Sequence, residues 1–286
     1  MTTPRSFSWH EVEGLPYLSC DLLEASGLVV HGFTTRLGGV SRGPFTSLNL
    51  GRGVGDALPH VLENRKRANR AIGVDSRGQV EAEQVHGTVL ARVGEGDAGK
   101  LLPGCDGLMT SDFGISLAIH TADCAPVLLL DPEHPAVAAV HIGWRGVAGG
   151  MAVEAVEGMR ACFGSRPQAL LVAIGPAIGA CCYEVGREVL DQTRRWTWWE
   201  EVVQPNGRGR WQLDLQGAIS RQLTDAGVPP GHIATCGLCT ACRPDLFFSY
   251  RRDGVTGRMA GIIALRDPGG RPCGAPTIPA NPTDPR

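Results

Sequence analysis

Between residues 115 and 143 three apolar runs, "ISLAIHT", "APVLLLD" and "AVAAVHIG", follow one another with only short breaks. Runs of this length bounded by turn residues read as buried strands. A chain carrying three in succession is committed to a sheet that its other elements must cover. Yet the second and third are interrupted by groups that resist apolar surroundings. Asp123 and Cys124 stand side by side before Pro126, His141 closes "AVAAVH", and Trp144 and Arg145 lie just beyond. An acid, a thiol and an imidazole at strand ends need an explanation.

The rest of the pattern is mixed. "HGFTTRLGGVSRGPFTSLNLG" reads as strand, Gly-rich loop, strand, and "PHVLENRKRANRAIG" as a polar helix with Pro59 in its first turn and Gly73 beyond its end. "QVEAEQVHGTVLARV" predicts two strands about a turn at Gly87. "GVAGGMAVEAVEGMRACFG" predicts a helix stopped by Gly164, "ALLVAIGP" a strand, "QLDLQGAISRQLTDAG" an amphipathic helix followed by the short run "HIATC", and "RMAGIIALR" a last strand. Consecutive strands that later alternate with helices favour a mixed α/β (α+β) fold over a doubly wound parallel sheet. No linker divides the chain, so residues 1–266 read as one domain. Residues 267–286, "DPGGRPCGAPTIPANPTDPR", are rich in Pro and Gly and read as a disordered tail.

With 286 residues, 43% of them hydrophobic, a sizeable core is within reach, and a net charge of -2 gives no footprint for nucleic acid or an anionic membrane. No apolar run is long enough to span a bilayer, and "MTTPRSFSWHEVEGL" lacks the apolar stretch of a secretory signal, so a cytoplasmic protein is expected. In that setting the ten cysteines are free thiols, ligands or nucleophiles rather than a disulfide framework.

His86 of "EQVHG", Cys124 and His141 offer two imidazoles and a thiolate at strand ends. Such a set suits Zn²⁺ with a fourth position left for water or substrate, although no short metal motif joins the three. Asp123 beside Cys124 could move a proton near a bound metal, or could cap its turn. "TTRLGGVSRG" places Arg36 and Ser41 around paired glycines, a pattern suited to an anion or phosphate cradle. "CGLCTAC" holds Cys236, Cys239 and Cys242 without a matching second cluster at zinc-ribbon spacing, so these read as structural thiols, and the Cys181–Cys182 pair reads as core packing.

Taken in order, "HGFTTRLGGVS", "SLNLG", "ENR", "QVHG", "DGLMT", "TADCAPVLLLD", "AAVHIGWRG", "AIGPAIGACCYEVG" and "LFFSYRRDGVTGRMAGII" resemble the YfiH family, named for a laccase domain and also called purine nucleoside phosphorylases. The resemblance runs from about His31 to Leu265. It implies a compact four-layer α-β-β-α arrangement with mixed sheets, zinc ligands at His86, Cys124 and His141, a catalytic role for Cys124 and for Asp123 in proton transfer, and phosphate binding by Arg36 and Ser41. It further implies phosphorolysis of adenosine, inosine and methylthioadenosine, with adenosine deamination, so that nucleoside and phosphate are the partners. Three alternatives stay open: a copper-dependent polyphenol oxidase, since Cu²⁺ also suits the trio; a hydrolase editing a wrongly loaded muramyl-peptide precursor; and a non-enzymatic metal-binding scaffold.

Overall fold

A computed structural model describes residues 6–267. The three apolar runs are strands, Ser116–Thr121, Ala125–Asp131 and Ala136–Ile142, but they do not share a sheet. Ser116–Thr121 lies inside a seven-stranded sheet, between Met259–Leu265 and Gln79–Ala82. The other two are central in a six-stranded sheet, flanked by Leu171–Ile174 and Gly107–Thr110. Both sheets are mixed: Gln79–Ala82 runs parallel to Ser116–Thr121, whereas Met259–Leu265 runs antiparallel to it. The three residues 122–124 carry the chain from Ser116–Thr121 to Ala125–Asp131 in the other sheet, and Asp123 takes a φ of 106° in that crossing.

Side-chain alternation along a strand explains why these runs are apolar throughout. In Ala125–Asp131, Leu128 and Leu130 pack between the sheets against Phe33, Leu117 and Ile263, while Val127 and Leu129 face the helices outside. Met151–Phe163 and Leu215–Asp225 cover that outer face, contributing Val156, Met159, Ile219 and Leu223. Leu58–Ile72 covers the far face of the seven-stranded sheet, seating Ala68 and Ile72 on Ala118, Ala260 and Ile262. The order of layers is helix, sheet, sheet, helix. Truncating Leu128 to Ala inside it would cost about 2–5 kcal/mol.

Several elements follow their sequence signals. Pro59 sits in the first turn of Leu58–Ile72 and Gly73, at φ 89°, ends it. The expected helix through residues 146–164 is instead two, Trp144–Gly149 and Met151–Phe163, because Gly150 adopts φ 90° between them. "SLNLG" forms no strand: the N–H groups of Ser47 and Leu48 both donate to the Arg36 carbonyl, and that of Leu50 to Arg258. An N-terminal hairpin, Phe7–Val12 with Leu15–Cys20, and a three-stranded sheet of Glu184–Val185, Trp211–Leu213 and Val203–Pro205 add to the sequence reading. Among the described residues no helix is long and apolar enough to cross a membrane. The expected tail lies, apart from Asp267, outside the described residues.

Candidate metal centre

Alternation puts His141 on the same side of its strand as Val137 and Ala139, the side that faces the other sheet. Cys124 sits in the crossing turn, and Pro126 just after it pairs with His141 in the sheet register. His86 comes from the turn after Gln79–Ala82. The ligating atoms of His86, Cys124 and His141 all lie within 4.8 Å of one another, and the two imidazoles meet edge to face with centroids 4.9 Å apart. Of the five non-glycine residues with positive φ among those described, Gln84, His86 and Asp123 surround this point. Backbone held in that region costs about 1–3 kcal/mol per residue and collects at functional sites.

Two residues hold the trio in place that the sequence reading gave no role. Asp106, fully buried, accepts from His141 Nδ1 at 2.8 Å and from the N–H groups of Val85, His86 and Gly87 at 3.1, 2.9 and 2.7 Å. Burial opposes its charge, but His141 and these N–H donors outweigh that and lower its pKa. One carboxylate thus fixes the His86 turn and, by engaging Nδ1, leaves Nε2 of His141 for a ligand. Gln84 clips the same turn to the strand Ser116–Thr121, donating to the His120 carbonyl at 2.6 Å and accepting from its N–H at 2.8 Å. Gln84 and Asp106 stand in the "QVHG" and "DGLMT" stretches, so their positions were visible but their tasks were not.

The donor set suits a metal ion. Burial opposes the Cys124 thiolate, yet His141 and His86 lower its pKa. The thiolate is the form that binds metal. A Cβ on Gly143 would stand 2.7 Å from Cys124 Sγ, so glycine there keeps the space beside the sulfur open. Two imidazoles and one thiolate match a three-ligand zinc set with an open fourth position.

The trio lies on the wall of a cavity of about 680 Å³, with Asp123, Tyr183 and Arg145 also lining it. Asp123 accepts from Thr240 Oγ1 and from the Arg251 N–H, both at 2.6 Å. Burial first, then the charge of Cys124, raises the Tyr183 pKa and keeps its hydroxyl protonated. Arg145 is stacked on the Trp144 ring at 4.5 Å, with no carboxylate of the described residues paired to it. Deeper in the wall Arg65 is paired with Glu81 and donates to His120 Nε2 at 3.3 Å, while burial and the Arg65 charge push the His120 pKa down to about 4.

Arg36 and Ser41 are not brought to this cavity. Arg36 donates to the Thr46 carbonyl at 2.9 and 2.7 Å and to the Pro244 carbonyl at 3.1 Å, and lies over the Phe248 ring. Ser41 donates to Asp56 Oδ2 at 2.6 Å and accepts from Asn64. A Cβ on Gly39 would meet the Ser47 carbonyl at 2.2 Å, so the paired glycines serve close backbone packing rather than an open cradle. The cysteines also differ from expectation. Cys236 is buried in the apolar core between the sheets, whereas Cys239 and Cys242 join Cys181 and Cys182 in a second group whose sulfurs lie within 4.8 Å of one another. Cys181 is exposed, not packed in the core.

Fold and donor set together define a mixed α/β protein, two large sheets packed between helices, with three side chains that could hold a metal ion at the wall of a cavity. A family model described as multi-copper polyphenol oxidoreductase laccase matches residues 30–266, and the chain belongs to this laccase-domain family. It is 40% identical over 265 residues to the purine nucleoside phosphorylase YlmD of Geobacillus stearothermophilus, covering 89% of this chain and 96% of that protein. It is 42% identical over 259 residues to a purine nucleoside phosphorylase of Deinococcus radiodurans, covering 88% and 94%. The crystal structure of YlmD from G. stearothermophilus superposes with a TM-score of 0.87 at 39% identity, covering 92% of this chain and 99% of that one.

Proposed function

We propose that the chain is a zinc-dependent purine nucleoside phosphorylase acting on adenosine, inosine and methylthioadenosine, with accompanying adenosine deamination. The observation that carries this reading is the open His86–Cys124–His141 set on the wall of a nucleoside-sized cavity, beside an acid and a cationic side chain. The relatives named purine nucleoside phosphorylase support it. Zinc held by these three residues would supply Lewis-acid polarisation and activation of a bound oxygen. The remaining work falls to the chain. Arg145, paired with no carboxylate among the described residues, offers its guanidinium to phosphate for a charge-assisted contact. In phosphorolysis a phosphate oxygen bonds to the anomeric carbon, the glycosidic bond breaks, and the departing purine takes up a proton. In deamination water adds and ammonia leaves with its proton. Asp123, held by Thr240 and the Arg251 N–H, is the group proposed to move that proton at its carboxylate oxygens.

The polyphenol-oxidase reading needs several copper ions. Of the histidines among the described residues, only His86 and His141 belong to a group that could hold a metal, and the other such group is all cysteine. A scaffold reading needs closed coordination, whereas the trio offers three donors. The test is incubation of metal-loaded protein with adenosine over a range of phosphate concentrations, with chromatography of adenine and inosine. Adenine that rises with phosphate, and inosine that does not, is the expected result. Absence of both would remove nucleosides as substrates and favour the amide-hydrolase alternative.

A further inference from the structure

The four-cysteine group lies outside the centre just described. Its sulfurs come from two loops far apart in sequence, residues 176–183 and 237–243. Cys242 Sγ is 3.4 Å from both Cys181 Sγ and Cys182 Sγ, and all four sulfurs fall within 4.8 Å of one another. A tetrahedral zinc ion with bonds of about 2.3 Å needs sulfurs about 3.8 Å apart, inside that range. A disulfide needs about 2.05 Å, well short of these separations.

The backbone is shaped for the cluster. Adjacent cysteines reach one point only if the chain between them turns, and here the N–H groups of Cys182 and Tyr183 both donate to the Gly179 carbonyl, at 2.9 and 3.0 Å. The Gly179 N–H donates to Cys239 Sγ at 3.2 Å. A Cβ on Gly179 would stand 3.3 Å from Cys239 Cβ and 3.4 Å from Cys181 Sγ, so any larger residue there would press on two of the four side chains. Cys239 and Cys242 supply the two-residue spacing of a zinc chelate. The loops are further joined where the Thr240 N–H donates to Ala177 and the Ala177 N–H to Leu238.

We propose that Cys181, Cys182, Cys239 and Cys242 bind a second zinc ion, structural and closed by four sulfurs, that locks these two loops together. All-sulfur tetrahedral donors select zinc or iron among common metals. On binding, the thiol protons pass to solvent as the zinc–sulfur bonds form. The lock has a consequence at the cavity, since both loops hold Asp123. The Ile178 N–H donates to the Asp123 carbonyl at 2.8 Å, and Thr240, between the two chelating cysteines, donates to its carboxylate at 2.6 Å. Tyr183, next to Cys182, lines the cavity. The four cysteines are therefore positioning residues for Asp123 as well as ligands.

Elemental analysis of the full-length chain tests this without reference to activity. About two zinc ions per chain are expected in the wild type, about one in Cys124→Ala, and about one in the double variant Cys239→Ser, Cys242→Ser. Cobalt-loaded Cys124→Ala should show the intense sulfur-to-cobalt absorption of a four-thiolate site, and this variant leaves the cluster untouched if the double variant fails to fold. In the double variant kcat for adenosine should fall about tenfold with KM unchanged, the split expected of a misplaced Asp123. Cys124→Ala protein without metal, iron in place of zinc, or wild-type thiol titration revealing a disulfide among these four cysteines would overturn the proposal.

Discussion

The His86–Cys124–His141 centre and the four-cysteine cluster both gather soft donors, but from different ground. The first is assembled from strand ends and turns of two packed sheets, with His141 buried and oriented by the fully buried Asp106. The second is assembled from two loops near the surface, with Cys181 and Cys242 exposed and the sulfurs oriented by main-chain turns. Three mixed donors facing a cavity leave room for a reactant; four sulfurs facing one another leave none. Proteins keep catalytic metal sites open and structural ones closed, and this chain offers both arrangements joined through Asp123. What separates them is whether a rigid sheet or a pair of loops presents the ligands, and whether a cavity adjoins.

That contrast can be broken most forcefully at His141. His141→Ala should abolish zinc at the first centre and turnover with it, while the four-cysteine zinc stays; loss of both ions together would show that the sites are not independent. Asp123→Asn should keep both ions and the fold but lower kcat about 10²- to 10⁴-fold, the usual weight of a proton-transfer group. Near-normal turnover would reduce Asp123 to the turn residue that its φ of 106° and two accepted hydrogen bonds also describe. Asp106→Asn should weaken zinc binding or turnover about 10- to 100-fold, because it loosens the His141 ring and the His86 turn without removing a ligand; competition with a chelator reads the affinity directly. The smallest effect on catalysis is expected at Arg36. Arg36→Ala should leave the phosphate KM unchanged and cost about 1–3 kcal/mol of stability from lost charged hydrogen bonds, whereas Arg145→Ala should raise the phosphate KM. The reverse pattern would return phosphate to the Gly-rich loop.

The trio was legible because local rules expose it. His141 ends an apolar run, Cys124 precedes a proline, and His86 stands at a glycine turn; each marks the end of a strand. The helix 58–72 was legible for the same reason, from Pro59 and Gly73. Features set by distant partners were not. Arg36 looks like an anion binder until the Thr46 and Pro244 carbonyls are seen to occupy its guanidinium, and Pro244 lies 208 residues away. Cys181 and Cys182 look like packing until loops 60 residues apart bring Cys242 beside them. The division of three consecutive strands between two sheets was equally hidden, since periodicity reports burial but not which sheet a strand joins.

The central claim is that the open centre carries nucleoside chemistry. It is met most directly by measuring zinc per chain and adenine formed from adenosine and phosphate on the same preparations of wild type and Cys124→Ala. The variant should lose one zinc per chain and all phosphate-dependent adenine formation while keeping the wild-type circular dichroism spectrum. Loss of that zinc with adenine formation intact would contradict the account.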